Sequence, residues 1–210
     1  MTLVLCALVG ALIGTLIGSV PVAYLVVKRL HGLDVHVAGS GNVGASNAYR
    51  TSGSRRTGIV VMALDALKGI AAVAAGWALA VTLGAASAFW PMSVALLGAI
   101  AGHNYTPWLS LKVGRLAGGK GLATAAGGFL LLMPLLVPVW GALFLLGRWA
   151  FAAWRGVRDT IPGNVVATAL IPLAAWVLYG SAALVVLLGL ALLVLPKHVA
   201  QIRTLLVRTD

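Results

Sequence analysis

The sequence predicts an all-α integral membrane protein of about seven transmembrane helices, with the N-terminus outside and the C-terminus in the cytoplasm. Three observations predict it. Of 210 residues, 61% are hydrophobic and only 9% are charged, and the mean hydropathy is +1.03; a soluble domain carries about 25% charged residues. The apolar residues fall in stretches close to the roughly 20 that a spanning helix needs. Lysine and arginine gather in alternate connections, the pattern that sets orientation in a bilayer. The whole chain, 1–210, reads as a single transmembrane domain.

The first helix is expected near 2–27, closed by Lys28 and Arg29. It lacks the basic start of a signal peptide, and its apolar run is too long for one. Gly10, Gly14 and Gly18 recur every four residues and give it a face for close packing. Cys6, the only cysteine, leaves no intrachain disulfide or thiol metal site and reads as a small packed residue. The second helix, 58–82, contains Asp65 and Lys68, spaced to share one face and pair; a structural ion pair and a substrate contact both fit. Further helices are expected near 90–105, 119–134, 138–157, 161–178 and 180–196. Pro134 and Pro138 divide a run without charge from Gly121 to Gly147 into two short helices and a tight turn. Six or eight crossings are the alternatives there.

Lys28, Arg29, Arg50, Arg55 and Arg56 lie between the first two helices, and Lys112, Arg115 and Lys120 between the third and fourth. Arg155 and Arg158 follow the fifth; Lys197, Arg203 and Arg208 lie in the tail. The opposite turns, near 83–89, 134–138 and 179–180, carry no charge. All basic connections therefore face the cytoplasm. The net charge of +11 speaks to orientation and anionic lipid, since no basic, aromatic-interleaved surface is long enough to track a nucleic acid.

Three segments on that face carry chemistry. "GSGNVGASNAYR" (39–50) combines flexible glycines (Gly39, Gly41, Gly44) with Ser40, Asn42, Ser46, Asn47 and the planar cation Arg50. Amides, neutral donors and a guanidinium suit an anion; a plain surface turn is the alternative. "GHNYTPWLSLKVGRLAGGKGLAT" (102–124) contains G-x-x-x-x-G-K at Gly114–Lys120, but Gly121 stands where a nucleotide P-loop needs Ser or Thr for magnesium. Nucleotide binding is excluded. What remains is Lys120 among Gly118, Gly119 and Gly121 at a helix start, again suited to an anion. "LPKHVAQIRTLLVRTD" (195–210) offers His198, Gln201 and Arg203 from one short helix at the membrane surface. The four carboxylates, Asp34, Asp65, Asp159 and Asp210, are scattered, so no metal and no cofactor is expected. His31 and His36 flank a short loop and read as solvated.

Together with "GSVPVAYLVVK" (18–28), "LDALKG" (64–69), "GHN" (102–104) and "GGKGLAT" (118–124), these segments identify a pattern. The chain resembles, nearly end to end and as a divergent member, the bacterial acylphosphate:glycerol-3-phosphate acyltransferases of the PlsY type. The resemblance implies a small seven-helix enzyme of the inner (plasma) membrane with its active site facing the cytoplasm. Its substrates would be acyl phosphate and glycerol 3-phosphate, its product lysophosphatidic acid for phospholipid synthesis. Position by position, it assigns substrate and phosphate contacts to Ser40, Arg50 and Lys120, and His198 matches the family's tail histidine. Gln201 stands where the family has Asn and Asp210 where it usually has Glu. Extra residues lie around 112–117, Ala117 replaces an aromatic, and "IPGN" (161–164) replaces a serine element, with Pro162 and Asn164 near the expected serines. A different phosphorylated acceptor is thus an alternative to glycerol 3-phosphate.

An acyl phosphate is an activated mixed anhydride, so the acceptor hydroxyl can attack it directly and no nucleophilic side chain is required. The expected catalytic set is Lys120, His198 and Ser40, with Arg50 and the glycine loops positioning two anions. The hydroxyl proton has two available acceptors, His198 and the substrate phosphate itself. No histidine begins a His-x-x-x-x-Asp pattern, so the thioester-using mechanism has no support. A transporter of a small phosphorylated solute is the main rival; the chain shows no internal repeat, and its polar motifs gather on one face rather than at midplane.

The charge asymmetry makes a direct prediction. A reporter fused after Asp210 should behave as cytoplasmic and one inserted between Ala85 and Ala88 as external; the reverse labelling would dissolve the shared cytoplasmic face.

Overall fold

In a computed structural model, which describes residues 2–207, Pro21 divides the first apolar stretch, so the helix expected over 2–27 is two. They are α1 (Thr2–Gly18) and α2 (Val22–His31). Proline has no N–H and its ring opposes the preceding turn. The ladder gives way at once: Val20 N reaches Ile17 O at only 3.5 Å, and Val22 N turns to Val20 O at 2.9 Å. There follow α3 (Ala45–Ser52), α4 (Arg55–Thr82), α5 (Phe89–Asn104), α6 (Pro107–Val113) and α7 (Leu122–Leu132). Then come α8 (Leu136–Arg155), α9 (Ile161–Tyr179), α10 (Ser181–Val194), a 3-10 turn (Leu195–His198) and α11 (Val199–Val207).

The chain forms two compact units, dividing between Leu132 and Met133. In the first, α4 packs against α1, α2, α3, α5 and α7, and α5 also lies against α1 and α7. Glycine sets how closely these helices approach. A Cβ on Gly14 or Gly18 would fall on the backbone of Ala95 or Ala99 in α5, and one on Gly98 or Gly102 would fall on Ala11 or Thr15 in α1. The same relation joins α4 to α7, where Gly69 meets Thr124 and Gly127 meets Ala66. The expected stripe of Gly10, Gly14 and Gly18 is indeed the buried face of α1.

Among the described residues, five segments are long and apolar enough to cross a bilayer: Thr2–His31, Arg55–Thr82, Leu136–Arg155, Ile161–Tyr179 and Ser181–Val207. The other two expected crossings, α5 and α7, have 16 and 11 residues, about 24 and 16 Å of rise against a hydrocarbon core of about 30 Å. Both pack on the longer α4, the setting in which short helices and irregular backbone at membrane depth keep their hydrogen bonds inside protein.

In the second unit α8 packs on α9 and α9 on α10, while the 3-10 turn and α11 return to α9. The turn expected around Pro134 and Pro138 closes at Leu135, and Pro138 lies in the first turn of α8, where its missing N–H breaks no bond. "IPGN" opens α9, with Ile161 N bonded to Asp159 Oδ1 at 2.8 Å and Pro162 in the first turn. Gly163 there lies against Phe144 of α8, and Gly147 of α8 against Val166.

Backbone contact across α1 and α5 predicts an asymmetry along the stripe. Gly14→Val should lower stability by about 1–3 kcal/mol through overpacking against an immovable carbonyl, read as a lower Tm in detergent. Gly10→Ala has 3.1 Å to Pro91 O and should cost less. Equal melting of the two variants would refute the contact.

Candidate active site

The first glycine-rich loop is shaped by a side chain that returns to it from the next helix. Asn47, in the first turn of α3 and 1% exposed, donates from Nδ2 to Val35 O at 2.8 Å and Ala38 O at 3.1 Å. Its Oδ1 accepts from Ser40 N at 2.9 Å. The chain between makes the bend with Gly39 and Gly41 at φ +62° and +67°, a region open mainly to glycine. A Cβ on Gly39 would also overlap Asn47 Oδ1. Ser40 is thereby held exposed on the rim, and Arg50, one helical turn past Asn47, is exposed as well.

The second loop leaves α5 at Asn104, makes the short helix α6, and turns at Gly114, φ +68°. Residues 112–117, where the resemblance implies extra residues, span the end of α6 and this turn. Ala117 is buried, and its N–H donates to Ser110 Oγ at 3.0 Å, so the following Gly118–Gly121 runs back into the fold. There the two loops join. Val43 N donates to Gly118 O at 3.2 Å, and Gly119 N donates to His103 O at 2.9 Å. Neither crossing tolerates a side chain: a Cβ on Gly118 would overlap the Asn104 carbonyl, and one on Gly119 would lie 2.8 Å from Val43 O. Val22, Val27, Val35, Val43, Ala48, Leu109 and Ala117 form one apolar cluster that holds both loops.

A charged cluster lies next to this junction. Lys68 Nζ is 2.9 Å from Asp65 Oδ1 and donates to Gly18 O at 3.1 Å and Val20 O at 3.0 Å, the carbonyls released where α1 ends. His103 Nδ1 stands 3.0 Å from Lys68 Nζ and 3.5 Å from Asp65 Oδ1. Thr106 donates its hydroxyl to Ser19 O. The expected Asp65–Lys68 pair is therefore formed and braces the helix break. Lys112 is likewise tied into the fold: it donates to Tyr24 Oη at 2.6 Å and lies 3.5 Å from Asp34. The Tyr24 bond, with Asp34 adding, holds the Lys112 ammonium above the usual lysine range.

The structure brings the segment Gly39–Arg50 together with Gly118–Gly121, but it alters the chemistry expected of them. The amides of Ser40, Gly41, Val43, Gly44 and Gly119 are already engaged within the loops. Glycine serves here for close backbone crossing; the side chains of Ser40 and Arg50 are exposed and that of Lys120 is half-buried. Asn47 directs its amide at the loop itself. His198 and Gln201 belong to the second unit. His198 is 1% exposed rather than set at a surface, and its Nδ1 donates to Val194 O at 3.1 Å, which makes Nε2 the basic nitrogen of the neutral ring. His36, expected to be solvated, is buried, and His31 pairs with Thr57 Oγ1 at 2.8 Å. Arg208 and Asp210 lie outside the described residues. Sequence reasoning gave His103 no role; the available signal was an ionisable residue at the end of an apolar run.

Comparison with known proteins bears directly on this arrangement. The glycerol-3-phosphate acyltransferase family matches residues 8–208. The chain is 41% identical over 171 residues to glycerol-3-phosphate acyltransferase 2 of Moorella thermoacetica, covering 79% of this chain and 75% of that one. It is 38% identical over 199 residues to the glycerol-3-phosphate acyltransferase of Sinorhizobium fredii, covering 94% and 87%. Among solved structures it is similar to PlsY (YgiH), an integral membrane glycerol 3-phosphate acyltransferase, in its glycerol 3-phosphate form. The TM-score is 0.76 at 27% identity, over 95% of this chain and 92% of that one. This chain belongs to the glycerol-3-phosphate acyltransferase family. It is a multi-pass membrane acyltransferase.

Asn47 gives the loop its most sensitive point. Asn47→Asp places a carboxylate oxygen against two carbonyls in a buried site, and should cost about 3 kcal/mol or more, since a buried donor is replaced by a charge without a partner. Ser46→Ala, on the exposed side of the same turn, should stay within about 0.5 kcal/mol. Thermal melting of both purified variants checks the pair.

Proposed function

We propose that this chain, acting as one catalytic domain, transfers a fatty acyl group from acyl phosphate to a hydroxyl of glycerol 3-phosphate, giving lysophosphatidic acid. The hydroxyl oxygen bonds to the acyl carbon, the anhydride C–O bond breaks, and inorganic phosphate leaves. No covalent enzyme intermediate is needed, because the donor is already activated. The protein holds two anions in reach of one another and stabilises charge as it moves from the hydroxyl to the departing phosphate.

The observation that carries this reading is the Val43 N to Gly118 O bond at 3.2 Å. It fixes the Arg50-bearing and Lys120-bearing segments in one frame, so two cations of different geometry serve one phosphate-binding site. Arg50 grips phosphate oxygens with its planar fork, Lys120 neutralises charge as a compact donor, and Ser40 adds a hydroxyl. Gly39, Gly41, Asn42, Gly44, Gly118, Gly119 and Gly121 shape the walls, and Asn47 positions Ser40. The hydroxyl proton has two acceptors in this reading, the substrate phosphate and the tail histidine that the family resemblance assigns, His198, with Gln201 as the tail's neutral residue. No metal or cofactor takes part. The lysines and arginines of alternate connections support seven crossings, an external N-terminus, and an active site on the cytoplasmic face of the inner membrane.

The purified protein, given acyl phosphate and glycerol 3-phosphate, should release inorganic phosphate only when both are present. Release that needs a different phosphorylated acceptor would revise the substrate, and solute flux into proteoliposomes without product would revise the class. Arg50→Lys should fold and insert normally yet lose about 5- to 150-fold in kcat/KM, roughly 1–3 kcal/mol of binding. Lys120→Ala should be at least as damaging, and Arg55→Lys, a membrane-surface charge, should change little. Equal, mild effects at Arg50 and Arg55 would remove the cradle.

A further inference from the structure

We propose that His103 is a direct ligand of substrate phosphate, offering an Nε2–H donor beside Gly119 and Lys120; this rests on the phosphate cradle proposed above. His103 ends α5 and is 7% exposed. One edge of its ring belongs to the charged cluster, with Nδ1 at 3.0 Å from Lys68 Nζ. The other edge faces the second glycine loop. A Cβ on Gly119 would overlap His103 Nε2 and lie 2.7 Å from Cδ2, so the absence of a side chain at Gly119 is what admits the ring.

The protonation of the ring follows from its neighbour. An ammonium group can only donate, so the imidazole nitrogen facing Lys68 accepts. Two of the three Lys68 protons go to Gly18 O and Val20 O and the third to His103 Nδ1, with Asp65 Oδ1 as the ion-pair partner at 2.9 Å. A neutral ring with bare Nδ1 carries its proton on Nε2. That Nε2–H makes no hydrogen bond among the described residues. The Nε2 atom is not one of the fully buried polar atoms without a partner, so this edge of the ring keeps access from outside, and a phosphate oxygen in the cradle provides the acceptor. Glycerol 3-phosphate and acyl phosphate both bring one.

Two measurements test this. In the wild-type enzyme labelled with 15N-histidine, His103 should show a proton on Nε2 and not on Nδ1. Its Nε2 resonance should move when glycerol 3-phosphate, or an unreactive acyl phosphonate, is added. Movement with the first assigns the acceptor's phosphate, and movement with the second the donor's. A proton on Nδ1, or no movement with either, overturns the proposal. In parallel, His103→Asn keeps an acceptor for Lys68 and loses the Nε2 donor, whereas His103→Gln places an amide N–H near the Nε2 position. His103→Asn should raise KM for the assigned substrate by about tenfold or more, with kcat changed far less, and His103→Gln should recover most of it. The opposite ranking, or normal KM in both, makes His103 a brace only and overturns the proposal. If Arg50→Lys and Lys120→Ala weaken binding while His103 Nε2 stays unmoved, the His103 assignment fails alone. If those two variants bind normally as well, the cradle fails with it.

Discussion

Carbonyl oxygens released within a membrane protein need donors, because each orphan away from water costs several kcal/mol. Pro21 creates that problem where α1 ends, and the ammonium of Lys68 answers it by donating to Gly18 O and Val20 O. Burying an ammonium is itself costly, and Asp65 offsets it at 2.9 Å. His103 completes the set, and its own carbonyl receives the N–H of Gly119. A continuous series of bonds thus runs from the break in the first helix to the residue preceding Lys120. The broken helix, the buried ion pair and the glycine loop are parts of one construction, and removing Lys68 alone would leave two carbonyls and a carboxylate without their donor.

Glycine is the second constraint, and it acts twice by the same physics. Between helices it lets backbones touch, at Gly14 and Gly18 against α5 and at Gly69 and Gly127 between α4 and α7. At the loops it lets chain cross chain, at Gly118 and Gly119 over the end of α5. The loops therefore inherit the rigidity of the helices below them, which is what a site needs if it accelerates a reaction mainly by positioning.

Much of this was legible in the sequence where a residue pattern has one physical meaning. The glycine stripe of α1, the Asp65–Lys68 spacing and the two polar loops each predicted what the structure contains. Residue type misled where a group's partner lies far along the chain. Asn47 reads as a ligand by its chemistry, yet its amide is matched to Val35, Ala38 and Ser40. His36 reads as a loop histidine and is buried. Pro21 does not show in hydropathy, because the apolar run continues through it and a missing N–H does not register there. The short helices α3 and α6 fall in segments whose glycine and polar content suggests loop. Only the fold shows that Asn47 and Leu109 anchor them.

The engagement of the loop amides has a consequence for how anions are held. A cradle of backbone N–H groups offers partial charges that stay fixed whatever occupies it. Here five such groups are already bonded within the loops, so the proposed function gives that task to full charges on side chains. Two phosphate-bearing substrates repel each other, and partial charges alone compensate that poorly in a site beside low-dielectric surroundings. Arg50 and Lys120 supply two whole charges of unlike shape, one planar and one compact. In the proposed reaction the compact ammonium neutralises charge on phosphate oxygens that the planar guanidinium holds in place. In that proposal the backbone crossing and the side-chain charges are complementary: the first sets where the reactants meet, and the second offset the charge that develops as the bond breaks.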